Sequence, residues 1–260
     1  KVENNLKDDN VVSQRGMIEM FDSTIGASTV LMPFGGKTQN TETQVSVQKL
    51  PVGKAYTNTA SIMAFGYNPF ITSWSPYHGA AYAVVEAAAK VVAAGARYDK
   101  MRWSYQEYFE RMNSETSWGK PLAALLGALK MQVEMGWPSI GGKDSMSGTF
   151  QNLDVPRTLV SFAITTEKVA NIITNEFKKA GSKVVLVKPE YDENNLPKTD
   201  SLLALFDEVV SLMREGKVLS AYTPTFGGVA EAVMKMAFGN GFGFTFDAGI
   251  SLEDIFGYCY

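Results

Sequence analysis

The residues best equipped for chemistry in this 260-residue chain lie in one run, Gly141-Gly142-Lys143-Asp144-Ser145-Met146-Ser147. Paired glycines let backbone N–H groups turn toward an anion, Lys143 supplies charge, and Asp144 and Ser145 supply oxygen ligands. The spacing is not that of a Walker loop. The same composition also builds a tight turn between a helix and a strand. A second pair, Gly227-Gly228, follows Thr223-Pro224-Thr225 at the start of a helical stretch. It is either an anion cradle or an ordinary helix start capped by Thr225. Glu86 is the one acid in the middle of an alanine-rich helical stretch, with Lys90 one turn on. That spacing fits a surface ion pair as well as a carboxylate poised for magnesium.

Other chemistries lack material. One histidine, His78, and one cysteine, Cys259, leave almost nothing for a zinc site or a Cys–His nucleophile pair. His78, at the start of the alanine-rich helix, reads as a capping or partly exposed residue. Cys259, in the apolar run 256–260, reads as a buried strand thiol. A formal net charge of −3 is too mild to point to nucleic acid or an anionic membrane. The most apolar long stretch, 80–96, carries Glu86 and Lys90 and makes a poor membrane span. A single cysteine fits a reducing, cytoplasmic setting. The polar start at Lys1 and the apolar, strand-like end suggest a fragment of something longer.

The elements that must position these residues alternate between strands and helices. Residues 1–14 read as a frayed polar arm. Strands are expected within 41–52, 55–65, 96–103, 158–165, 183–187, 218–222 and 241–246. Helices are expected at 76–94, 121–136, 201–215 and 227–238, with a short one within 168–176. Pro76 and Gly95 frame the first long helix. In the second, Leu122, Leu125, Leu126, Leu129 and Val133 share one face. The segment 105–120 reads as a connection with a helical piece, and 188–198 as a loop.

With the order of elements in place, the motifs resemble the large, glutamine-dependent phosphoribosylformylglycinamidine synthase family. Residues 141–147 are similar to its Gly-Lys-Asp-Ser-Met-Ser signature, and Leu50-Pro51-Val52 to its Val-Pro-Val stretch. The helix 83–94 looks like its Gly-Glu-Ala-Leu-Thr-Asn-Ile-Ala-Ala helix. Phe226-Gly227-Gly228 through Glu231, with Met236-Ala237-Phe238, is similar to its Asp-Gly-Gly-Leu…Glu-Met-Ala-Phe helix. The resemblance covers most of residues 45–250. It implies an α/β fold of the α+β type, AIR-synthase-like. An arm (1–44) would precede an N-terminal domain (45–152) that contributes to a pseudo-dimer barrel, and an incomplete C-terminal αβ domain (153–260) would follow. The family carries this pair twice, with a glutaminase after it, and this chain resembles the second copy. Its partners would be the other AIR-synthase-like half and the glutaminase. The family's reaction uses ATP and Mg2+ to activate the formamide oxygen of formylglycinamide ribonucleotide, and ammonia from glutamine then gives the amidine. The second copy is associated with an auxiliary nucleotide–magnesium site that does not turn over.

Carried across residue by residue, that auxiliary site is degenerate. The family's Asp after Val-Pro-Val is Lys54 here, its helix Glu is Glu86, and its Asn is Lys90. The Asp of its third stretch is Thr223, and the Ser is Thr225. Glu86 is the one surviving metal ligand, and ammonium groups at 54 and 90 oppose magnesium. The resemblance therefore implies a structural half in which Lys54 and Lys90 replace the metal's charge and no cofactor is held tightly. Gly141, Gly142, Lys143, Asp144, Ser145, Gly227 and Gly228 remain the phosphate-loop candidates, and no catalytic residue is assigned. Two other readings stand beside it: a free-standing, homodimeric ATP-binding enzyme of the same superfamily, and a ligand-free scaffold.

Overall fold

The computed structural model describes residues 1–257. Helices α1 (Val2–Leu6) and α2 (Arg15–Ile18) and a single 3-10 turn (Ile25–Ala27) precede the short strands β1 (Phe34–Gly35) and β2 (Thr41–Glu42). Strands β3 (Ser46–Lys49) and β4 (Thr59–Gly66) follow, then helices α3 (Pro69–Trp74) and α4 (Pro76–Ala93). Next come β5 (Arg102–Tyr108), α5 (Glu115–Met135) and β6 (Ser139–Lys143). A small hairpin, β7 (Thr149–Phe150) with β8 (Leu153–Asp154), leads to β9 (Thr158–Lys168). Helices α6 (Thr199–Arg214), α7 (Gly228–Phe238) and α8 (Leu252–Phe256) complete the described chain.

The main sheet has five strands in the order β3-β4-β9-β5-β6, antiparallel except for the parallel β5–β6 pair. Alternation sets its two faces. Ala60, Ile62 and Ala64 of β4, Leu159 and Ala163 of β9, and Trp103 of β5 are buried on the helix side. Met63, Phe65 and Ile164 are exposed. Helix α4 lies on the buried face, packed against β4, β9 and α5. Its alanines keep the layers close. Pro76 starts it behind Ser75, whose hydroxyl accepts from His78 N. Where α5 crosses, a side chain at Gly127 would collide with the Tyr77 carbonyl. A second, smaller core gathers Phe177, Val233 and Met236 with Tyr222, Phe242 and Phe246.

Several expectations change. The strand expected at 96–103 lies at 102–108, running into the segment read as a connection. Helix α5 starts earlier than expected, because Ser114 and Ser117 form a capping box ahead of Pro121. Its leucines, Leu122, Leu125, Leu126 and Leu129, are exposed, and its small face of Ala124, Gly127 and Ala128 is buried. Close helix contact selects the narrow side, not the most apolar one. The strand expected at 158–165 runs on to Lys168 as β9 and sits between β4 and β5 in the main sheet. Of the segment 168–176, only Val169–Asn171 turns, as a 3-10 helix. Segments 183–187, 218–222 and 241–246 form no strand, and Val184 to Val187 are exposed. They have β-forming residues but no neighbouring strand to pair with. Of the end 256–260, expected to be strand-like, Phe256 closes helix α8, and residues 258–260, Cys259 among them, lie outside the described residues. No helix among the described residues is long and apolar enough to cross a membrane.

Candidate functional site

Glu86, Lys90, Thr223 and Thr225 line one cavity of about 210 Å³, between the end of β4, the outer face of α4 and the turn before α7. Gly66 makes the first junction possible. A side chain there would collide with the Ala83 carbonyl, so only glycine lets α4 cross so near the strand end. The crossing brings Glu86 under two donors. Lys90 Nζ meets Glu86 Oε1 at 2.6 Å, and Tyr67 N donates to Oε2 at 3.2 Å. Lys90 also donates to Phe65 O at 2.9 Å and lies 4.5 Å from the centre of the Phe65 ring. Its side chain is 7% exposed, so this is no surface pair. Both charged groups of the cavity wall are thus neutralised by each other and by the β4 end.

The opposite wall is fixed by the turn 223–228. Gln44 holds Thr223 in both directions: its Nε2 donates to Thr223 O, and its Oε1 accepts from Thr223 N, each at 2.8 Å. Phe226 stacks on Phe70 with ring centres 4.8 Å apart. Gly227 N, which an anion would use, donates to Glu231 Oε2 at 2.8 Å, and the Thr225 hydroxyl donates to the same oxygen at 3.3 Å. Gly228 takes φ +67°, a left-handed conformation suited to glycine. The anion cradle at the start of α7 is therefore filled by a carboxylate of its own helix.

Glu231 is in turn locked from below. Lys235 Nζ lies 2.8 Å from Glu231 Oε1 and 2.6 Å from Glu42 Oε2. Burial alone would lower the Lys235 pKa, but the Glu231 charge and the hydrogen bonds to Glu231 and Glu42 hold it raised. Burial, then the charges of Glu231 and Glu42, push the Tyr222 phenol well above its usual value. Glu231 falls within the Gly-Gly helix motif of the sequence, and the motif marks no role for it. The available signal was an acid in the first turn of a Gly-Gly helix.

The remaining candidates stand apart. Lys54 is exposed in the loop after β3 and does not line the cavity. Of the run 141–145, Gly141, Gly142 and Lys143 end strand β6 at the sheet edge, and Asp144 and Ser145 follow it. Three strand spacings, roughly 14 Å, separate β6 from β4. Lys143 Nζ donates to Asp144 O at 3.1 Å and lies over the Tyr108 ring. Ser145 N donates to Glu107 O at 3.0 Å and Phe109 N to Ser145 O at 2.9 Å, extending the β5–β6 pairing. His78 joins Ser75 Oγ and Asn194 O, at 2.8 and 3.2 Å, and so anchors the 188–198 loop.

The residues present do not fit magnesium. Of the four positions to which the resemblance assigns metal ligands, Glu86 alone carries a carboxylate, and its oxygens are engaged by Lys90 and Tyr67 N. No group of three or more His, Cys, Asp or Glu residues able to hold a metal occurs among the described residues. The cavity is also smaller than the ~300–1,000 Å³ usual for small-molecule sites.

Comparisons with known proteins agree with this architecture. No family model matches the chain. It is 25% identical to the phosphoribosylformylglycinamidine synthase subunit PurL of Picrophilus torridus, over 95% of this chain and 34% of that protein. It is 24% identical to the PurL subunit of Thermoplasma volcanium, over 90% and 32%. The chain thus spans about a third of the length of the curated relatives it matches. Among solved structures, Thermotoga maritima PurL complexed with AMPPCP superposes with a TM-score of 0.59 at 16% identity, over 88% of this chain and 35% of that one. AaThiL complexed with AMPPCP and TMP gives 0.52 at 13% identity, over 86% and 70%. The chain resembles PurL, and its fold is AIR-synthase-like.

Proposed function

We propose that this chain is the second AIR-synthase-like half of a phosphoribosylformylglycinamidine synthase, and that it serves the parent enzyme as a structural module. The parent would be a cytoplasmic, ATP- and magnesium-dependent carbon–nitrogen ligase of purine biosynthesis that draws ammonia from a glutaminase. One observation carries the structural role. The nucleotide cavity expected from the resemblance is occupied chemically by the chain itself, with Lys90 as the cation at Glu86 and Glu231 as the anion at Gly227. Lys90 alone serves as the cation, and Lys54 takes no part in this reading.

The exposed face of the main sheet, with Met63, Phe65 and Ile164, supports pairing with the sheet of the other half in a shared barrel. We place the seam between the two modules after Asn171, since β9 belongs to the main sheet. The test is kinetic. In the parent enzyme, the paired neutral variant Glu86→Gln/Lys90→Met is expected to leave kcat for ammonia-dependent amidine formation within about twofold. A loss of about a hundredfold in a folded variant would put the pair in the chemistry and overturn the structural role.

A further inference from the structure

Residues 1–14 are mostly polar, and α1 buries no residue. The structure nevertheless lays this arm against the cavity. Helix α1 packs on α7, and Asn5 Nδ2 donates to Gly227 O at 3.2 Å. Val11 N and Val12 N close a turn on Asp8 O at 2.9 and 2.8 Å. Asn10 joins the same turn, donating to Asp8 Oδ1 from both its backbone and its side chain. The turn places Asn10 in the cavity wall and drives Val11 to 1% exposure, against Gly227. Beyond the arm, Arg15 fastens the chain to Gln39 O and Asn40 Oδ1, at 2.9 and 2.7 Å.

The attachment is narrow. Val11 is the one buried hydrophobic residue of the arm, and Asn5 supplies its side-chain hydrogen bond to the body. A segment held by so little opens locally long before the sheet does. Gly227 couples the arm to the site: its N–H engages Glu231 while its carbonyl receives Asn5. The peptide that carries the internal anion also carries the arm's latch.

We propose that residues 1–14 form a strap over the cavity, latched by Val11 and Asn5, that opens as a unit while the rest of the fold stays intact. The strap stands between solvent and the Gly227 turn, so its opening controls access of polar or anionic solutes to that turn.

Hydrogen exchange on the unmodified chain tests it directly. The Val11 and Val12 amides are expected to exchange at least about a hundredfold faster than interior β9 amides, through a local opening. Exchange at the β9 rate would make the arm part of the global unit and overturn the proposal. Limited trypsin digestion supplies the second readout, at Lys7 and Arg15. Val11→Asp is expected to speed cutting there about tenfold, with unfolding of the body unchanged. The milder Asn5→Ala, which keeps the apolar contact, is expected to speed it several-fold. If both variants lower body stability in step with faster cutting, the arm is core structure and no strap.

Discussion

Glu107 is a carboxyl buried on the helix side of β5, with its Oε1 lacking a hydrogen-bond partner. Burial first, and the Asp144 charge second, push its pKa up to about 7. The folded state then binds a proton that the unfolded chain has released, so the group favours folding at low pH. That contribution is full below the unfolded value near 4.5 and is lost as pH rises through about 7. Glu107→Gln is therefore expected to raise stability at pH 8 by on the order of 2 kcal/mol and to change it little at pH 4.5. Urea unfolding at the two pH values checks this, and an equal effect at both would contradict it. Lys90 carries the opposite kind of prediction. Lys90→Met strands Glu86 and should cost about 2–4 kcal/mol, while Glu86→Gln/Lys90→Met should recover most of it in a double-mutant cycle. The pairing of 86 with 90 was legible from the helical spacing. Its burial was not, because that depends on Gly66 admitting the helix, a contact between distant segments.

At the scale of elements, α4, α6 and α7 could be read closely from periodicity and end signals, since Pro76, Leu202 to Met213 and Gly227-Gly228 announce themselves locally. Helix α5 was legible as a helix and not as to its buried side. Its leucine stripe predicts a core, yet α4 presses on the small side at Ala124, Gly127 and Ala128. Leu125→Ala, at a half-exposed position, is accordingly expected to cost less than about 1 kcal/mol. Met131→Ala, fully buried beneath the same helix, should cost about 2–5 kcal/mol. Thermal unfolding of the two variants separates the alternatives, and a larger loss at Leu125 would mean that the leucine face is the packed one. The Gly141–Lys143 run shows the reverse limitation. Its residue types suit a loop around an anion, and the free edge of β5 recruits them into a parallel strand instead.

For the molecule as a whole, the two glycine runs separate into different roles. Gly141–Lys143 completes the sheet edge, and Gly227-Gly228 faces the cavity but is satisfied from within by Glu231. The likeness to PurL extends over nearly all of the chain, while Lys90 pairs with Glu86 and Glu231 accepts from Gly227 N at the cavity. On the proposed structural role, Lys90 at Glu86 and Glu231 at Gly227 exclude a metal-bound nucleotide from the cavity. The most direct measurement is a calorimetric titration of the folded chain with ADP, with and without magnesium. No magnesium-dependent binding is expected, whereas micromolar affinity that vanishes when magnesium is removed would overturn the structural role.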